Sequence, residues 1–223
     1  MELSNGTTSL PSTSYVLKVL VIGEACVGKT SFVHRYVNNT FSKAYRGTIG
    51  VDFAMKVVDN GPNDKIKVQL WDIAGQERFS YMTRVYYKDS HGCIIMFDVT
   101  NRNTFLNVVK WKRDFDNKCT LSDGSTVPCL LLANKTDAKS LRQVGMDEVE
   151  QMSREFNFSN WCEISVKDNI MVEESMRYLL DSIVLQQTVC DLSATRQLDK
   201  SETLKLLTDN RSSKGTFCLC KTV

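Results

Sequence analysis

The segment Lys18–Phe32, KVLVIGEACVGKTSF, constrains this chain more than any other. A run of Val, Leu and Ile reaches Gly23, and Gly28, Lys29, Thr30 and Ser31 follow after four intervening residues. This is the spacing G-x-x-x-x-G-K-[ST], set between an apolar strand and an apparent helix. The glycines permit a tight turn in which successive backbone N–H groups converge on phosphate oxygens. The free N–H groups and the positive dipole end of the following helix favour the same anion. Lys29 then suits the β- and γ-phosphates of a nucleoside triphosphate, and the Thr30 hydroxyl suits Mg²⁺. The loop alone leaves the base unspecified, and a strand–turn–helix junction without a ligand is its structural alternative.

The rest of the composition sets bounds. A chain of 223 residues gives one domain with some length to spare. A net charge of +2 is too small to point to nucleic acid as a partner. The eight cysteines are irregularly spaced, form no C-x-x-C pair, and include Cys93 and Cys129 inside apolar runs. Most of them read as reduced cytosolic or core thiols. The first sixteen residues lack a charged start followed by an apolar run, so no secretory signal is expected, and no stretch approaches membrane-spanning length.

In chain order, residues 1–14 are expected to be a disordered extension rich in Ser, Thr and Asn. Strands are expected at Tyr15–Ile22, Val51–Val58, Ile66–Trp71, Cys93–Asp98, Pro128–Ala133 and Trp161–Ile164. The second and third flank the turn Asn60–Asp64 and read as an antiparallel hairpin. Helical periodicity falls at Thr30–Val37, Thr104–Asn117, Asp147–Phe156 and Val172–Gln187. The alternation predicts an α/β fold of the P-loop NTPase kind: a doubly wound, mostly parallel six-stranded sheet with one antiparallel edge strand and helices on both faces. In such sheets ligands bind beyond the carboxyl ends of the strands, so functional motifs should follow strands.

Two further motifs do. Asp72-Ile-Ala-Gly75 follows the strand ending at Trp71. Its Asp can orient a Mg²⁺ shell through water, its Gly leaves a backbone N–H free to approach the γ-phosphate, and Gln76 can orient an attacking water. Asn134-Lys135-Thr136-Asp137 follows the strand Pro128–Ala133. The Asp137 carboxylate can accept two N–H bonds from a guanine edge, which adenine cannot supply, and Lys135 can lay its stem on the base. An unpaired buried polar group costs about 1–3 kcal/mol, enough to select GTP over ATP. Each tetrapeptide on its own also reads as a turn or helix start.

Taken together, GEACVGKTS, RGTIGVDF, KVQLWDIAGQERF, YYKDS, IMFDVT, ANKTD and ISVK resemble, in order, the signature blocks of the Rab-type small GTPases. The resemblance spans residues 15–188. Ile73, where most Rabs carry Thr, together with MTRVYY, resembles the branch linked to lysosome-related organelles, the trans-Golgi and melanosomes. The resemblance implies a switch that binds GTP or GDP with Mg²⁺ and hydrolyses GTP slowly, with Lys29, Thr48 and Gln76 in the catalytic centre. It implies that Ala25, Cys26, Val27, Gly28, Lys29, Thr30 and Ser31 surround the phosphates, with Gly75 near the γ-phosphate. Thr30, Thr48 and Asp72 would serve the metal. Phe41, Asn134, Lys135, Asp137, Ser165, Val166 and Lys167 would serve the guanine base. Phe53, Trp71 and Tyr86 would form the surface that effectors read, the alternative being core packing of aromatics.

The chain departs from the family pattern at Ala25 and Cys26, which replace Ser-Gly, and at Val166, which replaces Ala. Cys26 adds a Cβ beside the β-phosphate and a candidate redox-sensitive thiol; Val166 implies lower nucleotide affinity. Ser80 and Tyr81 fall in the expected second switch, where a phosphate would block partners. Residues 189–223 read as a flexible tail in which Cys218 and Cys220 form the C-x-C of a dual prenylation pattern, while the final CKTV has C-a-a-X length with an unsuitable Lys221. Implied partners are an exchange factor, a GTPase-activating protein, a GDP-dissociation inhibitor, an escort protein, effectors, and the cytoplasmic face of a trans-Golgi, endosomal or lysosome-related membrane. Two other readings stand beside this one: a GTP-binding, effector-recruiting module with negligible hydrolysis, and a phosphate-loop kinase, which NKTD and the lack of a lid segment disfavour.

Overall fold

The computed structural model describes residues 14–42, 47–61, 64–75, 83–121 and 124–195. Its centre is a six-stranded sheet of order β2-β3-β1-β4-β5-β6. The strands are β1 (Ser14–Gly23), β2 (Val51–Asp59), β3 (Lys65–Ile73), β4 (Gly92–Asp98), β5 (Cys129–Asn134) and β6 (Asn160–Glu163). β2 pairs antiparallel with β3, placing Phe53 opposite Trp71, and every other pairing is parallel. Strands β4 and β5 are buried at every position, as continuous apolar runs must be when helices cover both faces. The strand alternation of the sequence is therefore realised as expected, with the antiparallel strand at the edge.

The helices are α1 (Lys29–Asn38), α2 (Thr83–Tyr87), α3 (Arg102–Leu106), α4 (Val108–Lys118), α5 (Met146–Glu155) and α6 (Val172–Thr195). Successive side chains of a strand point to opposite faces, so β1 feeds two cores. Val19 and Val21 join Phe32 and Tyr36 of α1 and Met176, Leu179 and Ile183 of α6. Leu20 and Ile22 join Tyr87 of α2, Trp111 and Phe115 of α4 and Val149 of α5. Because β1, β3, β4, β5 and β6 run parallel, the loops after Gly23, Ile73, Asp98, Asn134 and Glu163 emerge on a single edge.

Three local details differ from the sequence expectations. The amphipathic stretch around Thr104–Asn117 is two helices divided at Asn107, which closes α3 and opens α4. Asn107 makes no side-chain cap bond to α4, and its backbone N–H closes α3 on the Asn103 carbonyl. The last helix continues past Gln187 to Thr195. The added stretch TVCDLSAT holds neither Gly nor Pro, and lengthening an existing helix needs no new nucleus. α2 and a 3-10 turn at Lys139–Leu141 carry too few residues for periodicity to reveal. The expected disorder of the first residues, Gln76, Ser80, Tyr81, and the tail cysteines Cys218 and Cys220 lie outside the described residues.

Candidate functional site

At the strand edge lies a cleft of about 920 Å³. Its walls include Ala25, Cys26, Gly28, Lys29, Thr30, Ser31, Phe41, Thr48, Gly75, Asn134, Lys135, Asp137, Val166 and Lys167. Residues far apart in sequence, such as Lys29 and Asp137 or Lys167, thus reach one cavity. Of the other expected residues, Val27, Asp72 and Ser165 are buried immediately behind the walls, and Gln76 is outside the described residues. His34, Thr40, Ser42, Gly47, Ile49 and Ala74 also line the cleft. Most of these flank Phe41, Thr48 or Gly75 in sequence, and that adjacency was the available signal for them.

The phosphate end is a loop whose conformation only certain residues permit. Gly28 has φ +101°, and a Cβ there would lie 2.5 Å from Nδ2 of Asn134. Lys29 opens α1, is 6% exposed, and donates from Nζ to the carbonyls of Gly23 at 2.9 Å and Glu24 at 2.7 Å. Burial pulls its ammonium down to about 8, an effect that the Asp72 and Glu24 carboxylates partly offset. An anion in the cleft would favour the charged form again. Cys26 is exposed and holds φ +64°, the left-handed region in which a side chain is disfavoured.

Next to Lys29, Thr30 Oγ1 lies 2.8 Å from Thr48 Oγ1 and donates to Asp72 Oδ2 at 2.5 Å, while the Thr48 hydroxyl donates to the same oxygen at 3.2 Å. Burial raises the Asp72 carboxyl above its ordinary value, against the opposing effect of Thr30, Lys29 and Thr48. Asp72 Oδ1 is buried without a hydrogen-bond partner among the described residues. Two hydroxyls and one carboxylate are hard oxygen donors of the kind Mg²⁺ prefers, and the orphan acceptor can receive a bond from a metal-held water. A single carboxylate is a weak all-protein site, so the donor set fits a Mg²⁺ that also binds substrate phosphates. Gly75 closes this end: a Cβ on it would stand 2.3 Å from the Ala25 nitrogen, so its backbone rests directly on the phosphate loop.

At the opposite end, Asp137 Oδ1 accepts from Ser165 Oγ at 2.8 Å and Oδ2 from Lys167 Nζ at 3.1 Å. Partial burial would raise this carboxyl, but the Ser165 and Lys167 bonds outweigh it and hold the group below its ordinary 3.8. It therefore stays an acceptor at neutral pH. Lys135 sits at φ +70° with its Nζ on Asp98 Oδ2 at 2.6 Å, which anchors the tip and leaves the stem along the cleft wall. Asn134 is 2% exposed, donates from Nδ2 to Val27 O at 2.8 Å and accepts from the Val166 N–H at 3.2 Å. Its amide ties the phosphate loop to the 165–167 loop, a bracing role invisible in the motif itself. The added methyls of Val166 pack in the α1–α6 core, at 2% exposure.

The aromatic trio lies away from the cleft. Phe53 is 50% exposed and meets Trp71 edge to face at 5.7 Å between ring centroids. Trp71 and Tyr86 are half-buried against the α4-side core, so Phe53 is the open member of the set.

The sequence matches the family model described as the Ras family over residues 18–185. The human "Ras-related protein Rab-7L1" is 50% identical over 188 residues, covering 84% of this chain and 92% of that protein. The human "Ras-related protein Rab-32" is 49% identical over 171 residues, 77% of this chain and 76% of that protein. The "Ras-related protein Rab-32A" of Dictyostelium discoideum is 46% identical over 172 residues, 76% of this chain and 78% of that protein.

Proposed function

The chain belongs to the Ras family, as a Rab-type GTPase of the branch that Rab-7L1 and Rab-32 represent, and we propose that it is a switch acting in traffic at an intracellular membrane. It binds GTP or GDP with Mg²⁺ and converts GTP and water to GDP and phosphate. The reading of its residues is supported above all by one observation: the Lys29–Thr30–Thr48 cluster and the Asp137 carboxylate face a single cleft.

Water attacks the γ-phosphorus in line with the oxygen that bridges to the β-phosphate, and that P–O bond breaks. Bound Mg²⁺ supplies charge neutralisation on the phosphate oxygens. Thr30 and Thr48 would hold it through their hydroxyls, and Asp72 would order its water. Lys29, kept charged by its anionic neighbour, stabilises the same oxygens, and Gln76 orients the attacking water. Asp137 reads the guanine edge, while the Lys135 stem and Phe41 flank the base. The phosphate loop contains no arginine, so turnover without a GTPase-activating protein is slow.

Contacts to the γ-phosphate order the segments around Thr48 and Gly75, and hydrolysis releases them. The GTP form then presents Phe53, Trp71 and Tyr86 to effectors. Among the described residues no helix is long and apolar enough to cross a membrane. Attachment to a trans-Golgi, endosomal or lysosome-related membrane would come from lipids on Cys218 and Cys220, since two chains are needed for stable anchoring. Cell fractionation tests this. Gln76→Leu should accumulate on membranes, and the Cys218→Ser/Cys220→Ser double variant should be soluble. Membrane association that ignores both changes would contradict the proposal.

A further inference from the structure

Arg35 lies on α1, six residues after Lys29, and belongs to none of the motifs above. Among the described residues its donor contacts go to backbone carbonyls. Nε donates to Val166 O at 3.1 Å and Nη2 to Lys167 O at 3.0 Å, across 131 and 132 residues of sequence. Nη1 donates to Asn39 O at 3.1 Å, at the left-handed end of α1. The guanidinium carbon also lies 5.7 Å from the Phe41 ring centroid. One planar, permanently charged group thus braces two walls of the base end of the cleft: the 165–167 loop and the aromatic ring.

Val166 shows what the brace achieves. Its N–H, in the peptide shared with Ser165, is held by Asn134 Oδ1, and its C=O, in the peptide shared with Lys167, by Arg35 Nε, so the two peptides that flank Val166 are each fixed. Its neighbours Ser165 and Lys167 are the two residues that hold the Asp137 carboxylate. A loop free to rotate about Val166 would carry both of those donors away from Asp137. Lysine cannot replace this brace fully, because an ammonium is a point donor, whereas a guanidinium presents several N–H groups in a rigid fork.

We propose that Arg35 is a positioning residue for guanine recognition, fixing the 165–167 loop and, through it, Asp137. The proposal rests on the assignment of Asp137 and that loop to the base. It makes a split prediction. The base end should loosen when Arg35 is changed, while the phosphate end, held by Lys29, Thr30 and Thr48, should not.

The test compares release of GDP and of inosine diphosphate, which lacks the exocyclic amine, from wild type, Arg35→Ala, Arg35→Lys and Asp137→Asn. For Arg35→Ala, GDP release should quicken roughly tenfold, as loss of charge-assisted hydrogen bonds implies. Release of inosine diphosphate should quicken less, so discrimination between the two shrinks; Arg35→Lys should fall in between. The dependence of release on Mg²⁺ should keep its wild-type midpoint. Unchanged GDP release, or equal acceleration of both nucleotides together with a lowered melting temperature, would overturn the proposal. If Asp137→Asn also left the discrimination intact, the guanine assignment itself would fall; if it abolished it while Arg35→Ala did not, only the role of Arg35 would.

Discussion

At the scale of single residues, the base end of the cleft depends on a carboxylate kept both ionised and aimed. Asp137 achieves this with bonds from Ser165 and Lys167 that outweigh its partial burial. Asp137→Asn replaces one acceptor oxygen by a donor and faces it with existing donors. It should weaken GDP binding roughly a hundredfold or more, because hydrogen bonds to charged groups are worth about 1.5–3 kcal/mol each. Competition of GDP against ADP for the purified variant measures this, and an unchanged guanine preference would contradict it. The place of Asp137 in the cleft was legible because a strand precedes NKTD, and functional loops follow strands in such a sheet. The support beneath it was not. Asn134 bonds to Val27 across 107 residues and to Val166 across 32, and Arg35 reaches Lys167 across 132. Such pairings follow from which strands are neighbours, which no local spacing encodes. Cys26 carries the opposite lesson: its thiol was legible in the phosphate-loop sequence, and the structure adds that its backbone sits at φ +64°.

At the scale of elements, the junction after β3 is as tightly specified as the phosphate loop it touches. A methyl group on Gly75 would lie 2.3 Å from Ala25 N and 2.6 Å from Glu24 C, both backbone atoms that cannot swing aside. Gly75→Ala should therefore push this junction off the loop, cost about 1–3 kcal/mol of stability, and slow GTP hydrolysis at least tenfold. Thermal unfolding with GDP bound, beside single-turnover hydrolysis, checks both. The start of β4 offers a pH test. The Lys18 N–H donates to His91 Nδ1 at 3.0 Å, and the His91 N–H returns a bond to Lys18 O at 2.9 Å. Burial, aided by the Lys18 charge and opposed by Asp89, lowers the imidazole below its ordinary 6.5. The unfolded chain then binds more protons than the folded one between that depressed value and 6.5. Stability from this group is complete above 6.5 and is lost as pH falls through the window. Denaturant titrations from pH 7.5 to 5 should show the loss, and His91→Phe should flatten it; an identical slope in the variant would refute the assignment. Long apolar runs such as CIIMFD made the parallel strands legible. The break at Asn107 and the five-residue α2 were not, because elements as short as α2 and α3 leave no periodic trace.

At the scale of the whole molecule, one sheet brings five strand ends to a single edge, and the motifs sit on the loops that leave it. The strand order places the phosphate loop after β1 at the centre and the base-reading loops after β5 and β6 to one side. The β2–β3 hairpin, with exposed Phe53, extends to the other. The central claim is a guanine-specific switch with slow intrinsic turnover, and the most direct measurement follows bound nucleotide over time. The purified protein, stripped of nucleotide, would be offered GTP or ATP with Mg²⁺ and sampled over hours. The account predicts that GTP alone is retained and decays to bound GDP at about 10⁻⁴ s⁻¹. Equal retention of ATP, or GTP that persists unhydrolysed for days, would contradict it.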